Sequence, residues 1–428
     1  MCDLKYWMWL SLTLYPGSKD ADPLLPAFDY DAQNIYNAEE EDYRKVPDLS
    51  EGAIRALSNK DLSDAEEIIE FCELNNIGML PFDSPSFPSR LRRIERVPYL
   101  LYYRGNLFDI DDTVAVAAVG TRSCSEYGRR EAYKICRDLA IGGAIIVSGM
   151  ARGIDSVCHR AALDVGAKTV AVLGCGINKV YPPEHEALMD EIMESGLVIS
   201  EFRPFTDPIG AHFPIRNRLI SGLSLGTLVV EADLKSGAMI TAKYAIKQGR
   251  DIFAVPGKVG DANSLGTNEL IQKGAKMVQS GVDLLEDYEF YFPHKISIDK
   301  LPRFSKFSLN PLKKNKPILG TPKEPRARTG DESQKQRQST EVKRPATENK
   351  LLTDIGKVDY VPEEDYGKYK LTSDQLSVLR SMPLGCGVTS DELSRGEHSV
   401  STVLGSMTML EIKGLVKKIP GGKFVRMK

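Results

Sequence analysis

The sequence predicts an α/β fold built on a doubly wound, mostly parallel sheet, and three observations predict it. Apolar runs without alternation recur at 114–119, 144–147, 169–173, 197–199, 227–230 and 251–255, as expected of strands covered on both faces. These runs end in polar or glycine-rich turns, among them Gly120-Thr121-Arg122-Ser123, Ser148-Gly149, Gly174-Cys175-Gly176, Glu231-Ala232 and Pro256-Gly257. Helical patterns follow the turns, at 127–140 and from Gly153-Ile154-Asp155 through 163. Strands alternating with helices imply a parallel sheet, and such sheets bind ligands beyond the carboxyl ends of their strands.

Taken in order, residues 1–80 read as a small helical domain of the helical-hairpin type, with helices at 6–14, from 43 to 45 and beyond, at 51–58, and at 64–75 capped by Ser63. The segment 78–105 is expected to be extended, because Pro98 forbids a helix there. The sheet-bearing core spans 81–290. Residues 291–366 are rich in Pro, Lys, Arg, Ser and Gln and too poor in apolar side chains to offset chain entropy, which makes them a linker. From 367 to 428 three helices, at 374–380 capped by Ser373, 390–394 and 400–412, precede a hairpin of 415–419 and 423–426. That order describes a winged helix, with Val400, Leu404, Met407 and Leu410 sharing one face of its third helix.

At 428 residues the chain has room for two or three domains. Its net charge of -3 hides an uneven distribution: 301–350 holds thirteen Lys or Arg against five Asp or Glu, so the linker is basic. Seven cysteines lie far apart without CxxC or zinc-type spacing, so neither a disulfide framework nor a metal is indicated and a reducing cytoplasm is expected. No apolar run approaches the roughly 20 residues that cross a membrane.

Phosphate binding is the most economical use of Gly120, Thr121 and Arg122 and of the Ser148, Gly149 and Gly153 turn. Glycines let an anion approach the main chain, and the amides of a following helix point partial positive charge toward it. Each turn taken singly is equally well explained by the sterics of a tight strand-to-helix connection. The stretch Phe213-Pro214-Ile215-Arg216-Asn217-Arg218 places two arginines around an asparagine beside an aromatic. Arg216 and Arg218 either join Arg122 on a guanidinium-lined rim or serve Glu201 or Glu231 in internal ion pairs; Phe213 either stacks on a base or closes the pocket floor. Ser236-Gly237 opens a further helix, a second amide-rich site, and Ser264-Leu265-Gly266-Thr267-Asn268 is expected to form a loop over the same edge. There is no GxxxxGK[ST], no third glycine after Gly174-Cys175-Gly176, and no histidine in a recognisable nucleophile arrangement, so an enzyme is not demanded.

In order, Val119-Gly120-Thr121-Arg122, Tyr127-Gly128, Ser148-Gly149, Gly153-Ile154-Asp155, Tyr181-Pro182, Ser200-Glu201 and Arg216-Asn217-Arg218 resemble the DNA-processing protein A family, also called DprA or Smf. Val230-Glu231-Ala232, Ser236-Gly237 and Pro256-Gly257 continue the likeness, which is dense from 87 to about 285. The resemblance implies a Rossmann-like core with an N-terminal helical domain and a C-terminal winged helix. It implies a cytoplasmic protein without cofactor that binds single-stranded DNA, loads the recombinase RecA onto it in natural transformation or recombination, and forms a homodimer. The helix after Asn268, with Leu270, Ile271 and Met277, is the expected dimer contact. Competing readings are a nucleotide-hydrolysing enzyme using Glu231 and Asp155, and an adaptor acting through the winged helix.

Overall fold

β3 (Ala115–Val119) is the strand from which the topology winds in both directions, and all five of its residues are buried. The computed structural model describes residues 3–301, 371–382, 388–389, 393, 400–413, 415–419 and 423–426. The chain divides into two units, Met1–Ser305 and Lys306–Lys428. In the first, β3 is followed by α7 (Glu126–Ile141), β4 (Ile145–Ser148), α8 (Ile154–Leu163), β5 (Thr169–Leu173), α9 (Glu186–Ser195) and β6 (Leu197–Ser200). The chain then returns through α10 (His212–Leu223) to β7 (Gly226–Val229), α11 (Gly237–Lys247), β8 (Asp251–Ala254), α12 (Leu265–Gln272), β9 (Lys276–Met277) and α13 (Gly281–Leu285).

Two further strands precede these, β1 (Gly78–Pro81) and β2 (Leu100–Gly105), and the nine-stranded sheet runs β1-β2-β6-β5-β4-β3-β7-β8-β9. The seven strands from β6 to β9 are mutually parallel, while β2 joins β6 and β1 joins β2 antiparallel. Winding reverses between β3 and β7, so the loops leaving these neighbours diverge and open a crevice.

From Val114 to the end of β3 the side chains divide strictly by parity. Ala115, Ala117 and Val119 join the cluster containing Leu219, Ile220 and Leu223 of α10, whereas Val114, Val116 and Ala118 join that of Ala132, Ile135 and Leu139 of α7. A strand buried on both faces has no polar alternate residue, which is why its sequence reads as an unbroken apolar run.

Among the described residues the N-terminal region holds six helices: α1 (Leu4–Thr13), α2 (Ala21–Ala27), α3 (Ala32–Asn37), α4 (Glu40–Arg44), α5 (Glu51–Leu57) and α6 (Ser63–Leu74). The sequence indicated four, without α2 and α3; in α2 Pro23 falls in the first turn, where its missing N–H costs nothing. Ser63 does not cap α6 but begins it, donating to the Asp61 carboxylate from both N–H (2.9 Å) and hydroxyl (2.6 Å). Trp7, Leu10, Leu24 and Tyr43 share one hydrophobic cluster with Tyr102 and the α10 face of the sheet.

A buried ion pair fastens these helices to the sheet. The Arg218 Nη2 of α10 donates to both Glu201 oxygens, at 2.6 and 2.8 Å, and the Gly17 N–H donates to the same carboxylate. Burial pushes the Glu201 carboxyl up, and Arg218 opposes the shift.

The linker expected from 291 begins too early. Ile296, Ile298 and Leu301 are buried against α7 and α13, and Ser297 N–H donates to Gly142 O at 3.0 Å. The backbone of Lys295 lies so close to Gly143 that a Cβ there would sit 2.1 Å from the Lys295 carbonyl oxygen.

In the second unit, α14 (Ser373–Ser381) is capped by Thr372 rather than Ser373, and Gln375 completes a reciprocal capping box. β10 (Val388–Thr389), α15 (Val400–Ile412), β11 (Val416–Ile419) and β12 (Lys423–Arg426) follow, the strands ordered β10-β12-β11. Met407 and Leu410 are buried with Val403, Val378 and Leu379. Of the helix expected at 390–394 only Leu393 is described, helical and buried, and the side chains of Val400 and Leu404 lie outside the described residues.

Arg218→Ala is expected to cost about 3–5 kcal/mol in urea unfolding, because it strands a buried carboxylate. Two of its guanidinium nitrogens, Nε and Nη1, find no partner among the described residues. Replacing both members, Glu201→Met with Arg218→Met, is therefore expected to recover most of that loss.

Candidate functional site

The crevice between β3 and β7 holds a cavity of about 420 Å³. Gly120, Thr121 and Arg122 enter it from the end of β3, Phe213, Arg216 and Asn217 from the first turns of α10, and Ser236 and Gly237 from the start of α11. Eight of the twelve residues named as DNA contacts thus meet at one place. Pro214 masked α10 in the sequence, but it stands in the helix's first turn, where a proline removes no intrahelical bond.

Arg122 is exposed and, among the described residues, makes no ion pair; its guanidinium lies 5.1 Å from the Phe213 ring centroid. The Phe213 ring is half-buried between Arg122, Tyr181 (centroids 5.4 Å apart) and Gly174, whose missing Cβ would approach it to 2.8 Å. Of its two expected uses, Phe213 therefore takes that of a wall, and it carries a cation on its face.

Arg216 is 3 % exposed and forms the floor. Its Nη1 donates to Gly149 O at 2.9 Å and to Val172 O, and its Nε donates to Asn217 Oδ1 at 3.1 Å. Burial lowers its pKa to about 10, with Asp155 opposing. Asp155, also buried, has its pKa raised to about 6 by desolvation, with Arg216 and the amides of Ala151 and Gly149 pulling it back.

The other four expected contacts are spent within the fold. Ser148 is fully buried and its hydroxyl donates to Ala118 O at 2.6 Å. The Gly149 and Ala151 amides face the Asp155 carboxylate rather than open space. Arg218 points to the N-terminal helices and its Glu201 partner, so the internal ion pair is its use. Gly153 holds a positive φ of 76° and a Cβ there would lie 2.4 Å from Thr121 O, so its role is the close approach of two loops.

The start of α11 differs. Among the described residues no side chain caps the helix, the Ser236 hydroxyl is buried without a partner, and Gly237 has nothing within 4 Å of its Cβ position. First-turn amides, an unused hydroxyl and a free guanidinium thus converge on one cavity, an arrangement suited to an anion.

The family model for DNA recombination-mediator protein A matches residues 78–289. DNA processing protein DprA of Streptococcus pneumoniae is 42% identical over 229 residues, covering 54% of this chain and 79% of that protein. The chain belongs to the DNA recombination-mediator protein A family. Protein Smf of Escherichia coli is 41% identical over 53% of this chain and 60% of its own length. The X-ray structure of the Streptococcus pneumoniae protein superposes with a TM-score of 0.58 at 34% identity, over 67% of this chain and 99% of that one.

Two features of this family member went unread in the sequence. Glu231 is 2 % exposed, and its carboxylate accepts from the Ser125 N–H at 2.9 Å and from the Ser125 hydroxyl, which in turn accepts from Gly128 N–H to cap α7. Gly128 is glycine because a Cβ would lie 2.1 Å from the Glu231 carboxyl carbon. The Ser264 to Asn268 stretch is not a loop: it enters α12, and Asn268 clamps Gly257 by accepting from its N–H and donating to its carbonyl, both at 3.1 Å. The expected dimer residues do not share a helix face. Leu270 is buried in the core, Ile271 is half-buried, and Met277, 49% exposed, lies on β9 after α12 has ended at Gln272.

Asp155 gives the family member a pH signature. Its pKa in the fold, about 6, lies above the unfolded value of about 3.9, so the folded state holds the proton more tightly and stability falls as pH rises from about 4 to 6. The expected fall is roughly 2–3 kcal/mol, and Asp155→Asn is expected to abolish it in denaturant titrations across that range.

Proposed function

We propose that the chain binds single-stranded DNA without cleaving it, seating phosphates at Arg122 and the α11 start, with Gly120, Thr121, Phe213, Arg216, Asn217, Ser236 and Gly237 shaping the site. One observation carries this reading: Arg122, without an ion pair, and the Ser236 hydroxyl, without a hydrogen-bond partner, both among the described residues, converge at the crevice where the sheet's winding reverses. A recessed cavity of this size suits a flexible strand whose backbone can bend into it better than a stiff duplex. The relatives' names, DNA processing protein and recombination-mediator protein, support the same reading.

The hydrolase alternative loses its acids, since Glu231 is engaged by Ser125 and Asp155 by two amides and Arg216. We further propose that the protein is cytoplasmic, dimeric, and delivers the strand to RecA during transformation or recombination, with 1–80 as a helical domain, the linker starting after 301 and 367–428 as a winged helix. The α14, α15 and hairpin elements support that last assignment, and the adaptor reading is kept for this part of the chain.

Arg122→Ala is expected to weaken oligo-dT binding about tenfold or more and to reduce the magnitude of the salt slope by about 0.7, the contribution of one neutralised phosphate on a single strand. Ser236→Ala should weaken it by less. Fluorescence anisotropy across a salt series reads both, and unchanged affinity in Arg122→Ala would remove the cavity as the site.

A further inference from the structure

A cavity of about 720 Å³, sharing no lining residue with the Arg122 crevice, opens between the N-terminal helices and the loop that follows β6. One wall comes from α1 and α6, with Tyr15 just beyond α1; the other is the loop, which brings Arg203 and Phe205. Asp64, Glu67, Ile68 and Phe71 line it from one face of α6, at the i, i+3, i+4, i+7 spacing. The Phe71 and Phe205 ring centroids are 4.7 Å apart, and Tyr15 and Phe205 are 53% and 61% exposed.

Phe205 is the unusual member. Its φ of 68° lies in the left-handed region, which a residue with a side chain enters only at a cost. The loop is clamped in that shape: Phe205 N–H donates to Asn178 Oδ1 at 2.8 Å, Gly176 N–H donates to Thr206 O at 2.9 Å, and Lys179 pairs with Asp207. Packing of the Phe205 ring does not offset this strain, because most of the ring is in solvent. A rigid loop thus holds an aromatic ring out over a cavity.

Charge and ring chemistry select the occupant. Asp64 and Glu67 are exposed and make no ion pair among the described residues, and exposed Glu70 stands on the next turn of α6. Arg203 pairs with neither, Lys179 is taken by Asp207, and beyond Asp64 the charges of Arg55 and Asp61 oppose each other. Three carboxylates therefore face one guanidinium, an edge that attracts cations and repels phosphates. Among the described residues no cation lies over the Tyr15, Phe71 or Phe205 rings. Elsewhere in the same helical region the rings of Trp9, Tyr36 and Tyr43 already hold the Lys60 amine, at 5.1, 5.4 and 4.9 Å.

We infer that this cavity docks a basic, apolar peptide segment of a partner protein, an Arg or Lys side chain lying on the Phe71 and Phe205 rings beside Asp64 and Glu67. The apolar neighbours of that side chain pack against Leu12, Ile68 and Tyr15. A cavity much larger than one side chain calls for a segment rather than a lone cation, and the paired rings supply the anchor. The surface is independent of the proposed strand site and leaves it free.

Fluorescence anisotropy on the full chain tests this with a labelled synthetic peptide of about twelve residues alternating Arg with Leu and Trp. Its counterparts carry Glu for each Arg, or Ser for each Leu and Trp. The basic apolar peptide is expected to bind about tenfold or more tighter than either, and more weakly as salt rises. Asp64→Asn with Glu67→Gln is expected to weaken it severalfold, and so is Phe205→Gly, which the positive φ accepts. Glu66→Gln with Glu73→Gln removes the same charge from the opposite side of α6 and is expected to change nothing. Wild-type affinity in either of the first two variants, or an equal loss in the third, would overturn the docking site. Oligo-dT is expected to bind Phe205→Gly as it binds the wild type. A loss there would give the cavity to nucleic acid, and displacement of the peptide by an equal concentration of spermidine would give it to a free polyamine; either result sinks the inference. Unchanged thermal midpoints show that each variant is folded.

Discussion

The guanidinium of Arg216 is the constraint on which the site depends. It reaches from the first turns of α10 to carbonyls at the ends of β4 and β5, with the Asp155 carboxylate beside it. A buried cation so placed cannot shift without leaving carbonyls and a carboxylate unsatisfied, so α10 is locked over the carboxyl edge of the sheet. The consequences run outward from there. Phe213 is held against Gly174, Arg122 rests on Phe213, and Asn217 meets the first residue of α11.

Two residues further on, Arg218 does opposite work. Neighbours two apart on a helix point about 200° away from each other, so one arginine faces the crevice floor and the other the N-terminal helices. There it meets Glu201, whose carboxylate also takes the Gly17 N–H. The helical region and the nucleotide-sized crevice are thereby anchored by the same turn of α10.

The strands and their order were legible because strands buried on both faces leave no polar residue to interrupt an apolar run, and most of the crevice was legible because glycines gather where strands turn into helices. What could not be read was direction. Arg216-Asn217-Arg218 gives no hint of which arginine looks inward until α10 is known to be a helix, and Pro214 disguised it. Ser148, Gly149 and Gly153 were misassigned because a sequence shows amides and hydroxyls but not their partners. Leu270, Ile271 and Met277 were grouped as one stripe because the end of α12 at Gln272, before Gly274 with its φ of 100°, could not be seen. The packed segment 295–301 was lost for a related reason, since three isolated apolar residues in a polar run look like linker until α7 is found beneath them.

The Ser125–Glu231 contact has a wider consequence. By tying its carboxylate to the cap of α7, the protein keeps a potential proton acceptor from any molecule lodged in the neighbouring crevice, and Asp155 is similarly preoccupied. Both acids are thereby committed to holding the scaffold together, so what the crevice turns toward its interior is the positive end of a helix and a guanidinium.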